Sequence, residues 1–167
     1  IIMPINYPGE YVLLAKTLRQ QRVDFMASYS VLGGGFNFKF VEEMPQIAEN
    51  MIDVNHWYDP SSASGQAMRT RTESEGKYFT FEVYCAYMSI LFLVDGFERA
   101  GSTDKEAVNA ALASSTLNVD FMPYGPTKMV NGQNMGSRAV AIQAQKGDVQ
   151  VIAPSSYASA NAIFPRS

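Results

Sequence analysis

The stretch from Val83 to Val94 carries no charge and is bracketed by Glu82 and Asp95. It lies inside a longer segment, Phe79–Ala100, whose aromatic and aliphatic residues fall on nearly every face of a helix. About a dozen uncharged residues fall short of the roughly 20 that a bilayer crossing needs, so the segment reads as a buried helix of a soluble fold. Arg99 in its last turn and Gly101 just beyond mark its end, and Ser102 or Thr103 is placed to cap a following helix, Lys105 to about Ser114. A helix that is apolar all round needs cover on several sides. That requirement constrains the rest of the chain.

The remaining sequence offers little cover. Ile1–Ile5 reads as a strand, Asn6-Tyr7-Pro8-Gly9 as a turn, and Glu10 to about Arg22 as an amphipathic helix with Val12, Leu14, Ala15 and Leu18 on its inner face. Phe25–Ser28 reads as a second strand, Gly33-Gly34-Gly35 as a loop, Phe36 to Met44 as a weaker helix and Met51–Val54 as a third strand. Short strands alternating with helices predict a parallel α/β layer. The polar, turn-rich run Asp59-Pro60-Ser61-Ser62-Ala63-Ser64-Gly65 marks a boundary or hinge, and the pattern from there to Ser115 is almost wholly helical. From Tyr124 onward the spacing predicts antiparallel strands around Ala139–Gln145 and Val149–Ile152, with Asn131-Gly132 as the turn before them. The missing cover for the apolar helix is expected from absent sequence or from another chain. The opening Ile1-Ile2-Met3-Pro4-Ile5 reads like a strand entered midway, without a leader pattern, as in a mature or trimmed product or a fragment.

Composition narrows the function classes. With 47% hydrophobic and 17% charged residues over 167 positions, the chain has enough apolar material for a core. A net charge of −3 argues against a broad nucleic-acid footprint. The lone Cys85 excludes an intrachain disulfide and a cysteine-cluster zinc site, and the lone His56 excludes a multi-histidine metal centre. Cys85 reads as a buried small hydrophobe, and Asp59 and Glu42-Glu43 as solvated surface rather than a catalytic carboxylate pair. The triple glycine lacks the spacing and the lysine of a phosphate-binding loop. No nucleophile, base and orienting group can be assembled, so no catalytic residue, metal or cofactor is expected and the chain does not read as an enzyme.

Open α/β sheets bind ligands beyond the carboxyl ends of their parallel strands. Here that rule selects Asn6, Tyr7 and Pro8 after the first strand and Ser28, Tyr29 and Ser30 after the second. His56-Trp57-Tyr58 offers either a stacking platform, with Trp57 as a ligand contact, or aromatic packing at a hinge.

Several pieces of sequence carry a family resemblance. They are Tyr84–Ala86 continuing into Phe97-Glu98-Arg99-Ala100-Gly101-Ser102-Thr103-Asp104, then Ala107-Val108, Ala111-Leu112, Asn131-Gly132-Gln133-Asn134, Gln143, Gly147, and Val151 to Pro154. In this order and spacing the chain resembles the C-terminal part of a type I periplasmic substrate-binding protein of the leucine/isoleucine/valine-binding group, which serves ABC importers. The resemblance implies an α/β fold with a parallel sheet, flanking helices and an incomplete two-lobe architecture. Residues 1–55 would be the later half of the second lobe, 56–65 a hinge crossover, 66–125 helices of the first lobe, and 126–167 strands returning across the hinge. It also implies a missing N-terminal half or a second chain completing the lobes, a small-molecule ligand, an ABC transporter permease as partner, and a periplasmic location without direct membrane insertion.

Tyr7 matches a ligand-contacting tyrosine of the family, and Tyr78, after Gly76-Lys77, matches an aromatic contact. Tyr29 stands near the family's acidic partner for an α-ammonium, and no acid occurs from Ala27 to Phe36. An ammonium buried without a counter-charge is costly, so the expected ligand is an aromatic or other planar acid, an amide or a related compound rather than a plain α-amino acid. A ligand-sensing regulatory domain of the same fold is the alternative.

Overall fold

The computed structural model describes residues 1–32 and 38–166. In chain order its elements are α1 (Pro8–Gln20), β1 (Tyr29–Val31), α2 (Phe38–Glu43), α3 (Pro45–Ala48), β2 (Ile52–Asn55) and α4 (Ala63–Ser74). They continue with α5 (Phe81–Ala100), α6 (Lys105–Ala113), β3 (Met129–Val130), β4 (Gln133–Asn134), β5 (Val140–Gln145) and β6 (Asp148–Ala153). The Gly33-Gly34-Gly35 loop and the first residues of the helix expected from Phe36 lie outside the described residues.

One sheet has the order β1-β2-β5-β6. β1 and β2 run parallel, with Tyr29 opposite Ile52 and Ser30 opposite Asp53, whereas β5 pairs antiparallel with both β2 and β6. The strand expected over residues 1–5 shrinks to one parallel bridge, Ile2 to Ser28, in which Ile2 N–H donates to the Ala27 carbonyl and Tyr29 N–H to that of Ile2. Pro4 has no N–H to extend that ladder, so the strand stops there. The second strand begins later than expected, at Tyr29 rather than Phe25. Asn131 and Gly132, at φ 49° and 77°, form the two-residue turn between β3 and β4, the positive-φ pair that tight hairpins require.

Sheet and helices meet in a sealed core. Ile142 and Val151 are fully buried, and Tyr11, Val41 and Val140 pack in the same cluster. The buried Asp53 carboxylate accepts from Ser30 Oγ at 2.8 Å and from Asn55 Nδ2 at 2.9 Å, which offsets the desolvation of that charge. Gln143 Nε2 donates to the Ile163 carbonyl and Gln145 Nε2 to that of Asn161, so the last residues are tied to β5.

α5 has the expected ends. Thr80 Oγ1 accepts from Val83 N–H, and Gly101 at φ 59° closes the helix in the left-handed conformation that glycine adopts without strain. The next helix is capped by Asp104, not by Ser102 or Thr103. The Asp104 carboxylate accepts from both Glu106 and Ala107, while the Ser102 hydroxyl accepts from Asp104 N–H. Gly96 lets α6 approach α5, since a Cβ there would lie 2.5 Å from Leu112 Cδ2. Tyr84 turns inward from α5, but Tyr87, Ile90, Leu93, Val94 and Phe97 remain between 41% and 59% exposed. No helix among the described residues is long and apolar enough to cross a membrane.

Trp57, Tyr58 and Phe79 form an aromatic cluster between β2 and α5, with ring centroids 5.1–5.4 Å apart. Arg69 of α4 adds a polar clamp, reaching Asp148 at the start of β6 and Glu73 on its own helix, each at 2.7 Å.

Candidate ligand-binding site

The turn after Ile5 is shaped by Pro8, whose fixed φ suits the first position of α1. Glu10, one turn in, accepts from Tyr7 N–H through Oε2 at 2.9 Å, so Tyr7 is held where the helix begins. Tyr7 itself stands out 81% exposed. Alongside, β1 ends at Val31 and delivers Tyr29 and Ser30 to the same edge, where Ser30 is oriented by its bond to Asp53. The first turn of α5 closes the opposite side. Between them lies a cavity of about 770 Å³ whose lining includes Asn6, Tyr7, Tyr29, Ser30, Phe81 and Glu82. That volume is in the range of small-molecule sites.

Five of the residues selected from the sequence, Asn6, Tyr7, Pro8, Tyr29 and Ser30, therefore converge on one cavity. Asn6 Oδ1 is itself buried and has no hydrogen-bond partner among the described residues. The other three are placed elsewhere. Ser28 is buried beneath the site, its hydroxyl 3.0 Å from that of Tyr11, whose phenol is pushed above its ordinary value chiefly by burial.

Trp57, expected as a ligand contact, is corrected by its burial. It is 2% exposed and packs edge-on against Phe79, so of the two readings of His56-Trp57-Tyr58 the packing one describes Trp57. Tyr78, also expected as a contact, lines a different depression with Glu42, Arg69, Glu73 and Asp148. Its hydroxyl donates to Glu43 at 2.8 Å, and this bond, more than burial, raises its pKa. The turn between α4 and α5 carries it away from the cavity that Phe81 reaches three residues later.

Sequence reasoning left Phe81 as an alternative to Tyr78 for the aromatic contact and missed Glu10 and Glu82. The stretch from Ala27 to Phe36 holds no acid, yet the cavity has two carboxylates on its lining, one from α1 and one from α5. Both follow a turn at the start of a helix, which was the available signal. Among the described residues no group of three or more His, Cys, Asp and Glu is placed to hold a metal ion. The chemistry on offer is recognition: aromatic faces, amide and hydroxyl groups, and carboxylates at the edge.

A protein-family model described as periplasmic binding protein matches residues 1–150. A search of curated proteins gives no match. Among solved structures, the leucine-binding protein LivK of Thermotoga maritima is 21% identical with a TM-score of 0.70, covering 90% of this chain and 43% of its own. The branched-chain amino acid binding protein LivJ of Streptococcus pneumoniae, in complex with isoleucine, is 16% identical with a TM-score of 0.71, covering 98% of this chain and 44% of its own. A solute-binding protein of an ABC transporter from R. palustris, in complex with benzoate, is 14% identical with a TM-score of 0.55, covering 92% of this chain and 48% of its own. At these identities the likeness shows the fold, and the chain spans less than half the length of each of these structures.

Proposed function

We propose a solute-binding role on a premise that the match over residues 1–150 makes plain: this chain belongs to the periplasmic binding protein family. The proposed protein is the extracytoplasmic, non-enzymatic binding component of an ABC importer, working in the periplasm. It holds a small organic ligand, amino-acid-like, an aromatic acid or an amide, in a cleft between two lobes. The single observation that carries this reading is the convergence of Asn6, Tyr7, Tyr29 and Ser30 on one cavity closed by Phe81 and Glu82. Within the ligand class, the Glu10 and Glu82 carboxylates on the lining favour a ligand that donates hydrogen bonds, such as an amide or an amine.

In this reading residues 1–55 and 126–167 belong to one lobe and 66–125 to the other, with the Trp57–Tyr58–Phe79 cluster at the hinge. A segment beyond these 167 residues supplies the cover that the outward face of α5 lacks. The ligand contacts both lobes, so it binds the closed arrangement better than the open one and shifts the population toward it. The closed form then docks on a permease. Calorimetric titration with leucine, isoleucine, benzoate and benzamide tests the site. At least one of these binds, and Tyr29→Ala lowers its affinity tenfold or more. Unchanged affinity in that variant contradicts the assignment.

A further inference from the structure

α1 starts at the ligand cavity and, at 13 residues, ends about 20 Å away. At that far end lies a second cavity of about 550 Å³, walled by the end of α1, residues 22–26, Pro165 and Arg166. Three arginines line it: Arg19, Arg22 and Arg166. Asp24 is the one carboxylate among the described residues of the lining, against three arginines, in a chain whose net charge is −3.

Two of these arginines are held by main-chain carbonyls rather than by counter-charges. Arg19 donates through Nη1 to the Gln46 carbonyl at 2.6 Å, and Arg166 through Nη2 to that of Ile47 at 2.8 Å. The Arg166 guanidinium also lies over the Phe25 ring, 4.7 Å from its centroid. Its backbone N–H donates to Met26, which fixes the tail as a wall of the cavity. Among the described residues none of the three makes an ion pair, whereas Arg69, Arg71 and Arg99 each do. A guanidinium has five donors, so one carbonyl each for Arg19 and Arg166 leaves most of that capacity open. Arg22 is exposed, with its backbone at φ 52°, a left-handed position that favours glycine. Burial pulls the Arg166 pKa below its ordinary value; Tyr11 opposes this, the like charge of Arg19 adds to it, and Glu49 opposes it more weakly. The rest of the wall is apolar: Leu18, Val23, Phe25, Met26 and Pro165.

We propose that this cavity is a second binding site, separate from the cleft, for a small organic anion with an apolar body. The guanidinium groups take a carboxylate or phosphate head in the fork geometry that arginine provides, and the apolar wall takes the body.

Calorimetry with phenyl phosphate as probe tests it, with benzyl alcohol as the neutral control. Phenyl phosphate binds, and benzyl alcohol binds at least tenfold more weakly. The double variant R22Q/R166Q loses tenfold or more in affinity for the probe, and raising the salt concentration weakens binding to the unsubstituted protein. Because Arg166 also anchors the tail, the single variant Arg22→Gln is measured alongside, with a thermal melt to show that the fold persists; it loses threefold or more. Tyr29→Ala, at the cleft, leaves the affinity for the probe unchanged. Equal binding of phenyl phosphate and benzyl alcohol, no loss in Arg22→Gln, or loss in Tyr29→Ala overturns the proposal, and the last result moves the probe to the cleft.

Discussion

β5 and α5 are both rich in apolar residues, and the protein treats them in opposite ways. β5 lies between two strands, and its side chains from Ile142 to Gln145 are buried, the polar ones bonded to each other or to main chain. α5 turns inward the face that carries its own Tyr84 and Gly96 and leaves a row of large hydrophobic residues outward. Composition alone does not separate the two. What separates them is whether another element covers them among the described residues. An apolar stripe of this extent without cover marks a surface meant for contact.

Substitutions can sharpen that contrast, and the largest effect belongs to the sheet. Ile142→Ala removes a fully buried side chain and is expected to cost about 2–5 kcal/mol in urea unfolding. Ile90→Ala, on the outward face of α5, changes stability by less than about 0.5 kcal/mol in the same measurement. Equal losses at the two positions would break the comparison. Gly65→Ala probes the joint between the regions: its Cβ would lie 2.5 Å from Tyr58 Cδ2 and 3.0 Å from Phe121 Cβ, so overpacking of about 1–3 kcal/mol is expected from thermal or urea unfolding.

Asp104→Ala removes the α6 cap, costs about 1 kcal/mol and lowers helical circular dichroism, since α6 has α5 but little else to hold it. The smallest effect is one of pH. The Ser64 and then the Ser62 hydroxyl hold the Asp120 carboxyl below its ordinary value of 3.8. A depressed folded-state value gives stability that is present above the unfolded value and lost as pH falls through the folded one. Asp120→Asn therefore flattens the pH dependence of the melting temperature below about pH 4, and leaves it unchanged near neutrality.

Much of this was legible in the sequence, for identifiable reasons. α1, α5, α6, β2, β5 and β6 follow from periodicity and turn residues, which act locally. The first strand did not, because its pairing depends on Pro4 and on a partner that reaches it only at Ser28. Asn6, Tyr7, Tyr29 and Ser30 were selected by a rule about strand ends, and the structure gathers them because both segments end at one edge of the sheet. Trp57 and Tyr78 failed as cavity residues for a shared reason. Each is aromatic and lies outside the regular elements, but which way a side chain turns there is decided by packing on Phe79 and by the Glu43 carboxylate. Glu10 and Glu82 were missed because they sit in helices whose first turns face the cavity, a property of the assembled fold.

The central claim is that the cavity at the end of β1 is where a small ligand binds. Chemical-shift mapping by two-dimensional NMR tests it most directly, with isoleucine and benzamide titrated separately into the 167-residue chain. The expected result is weak binding in which the amides of Asn6, Tyr7, Tyr29 and Ser30 and those of Phe81 and Glu82 move together, and the shifts vanish in Tyr29→Ala. Shifts confined to other surfaces, or unchanged in that variant, would contradict it.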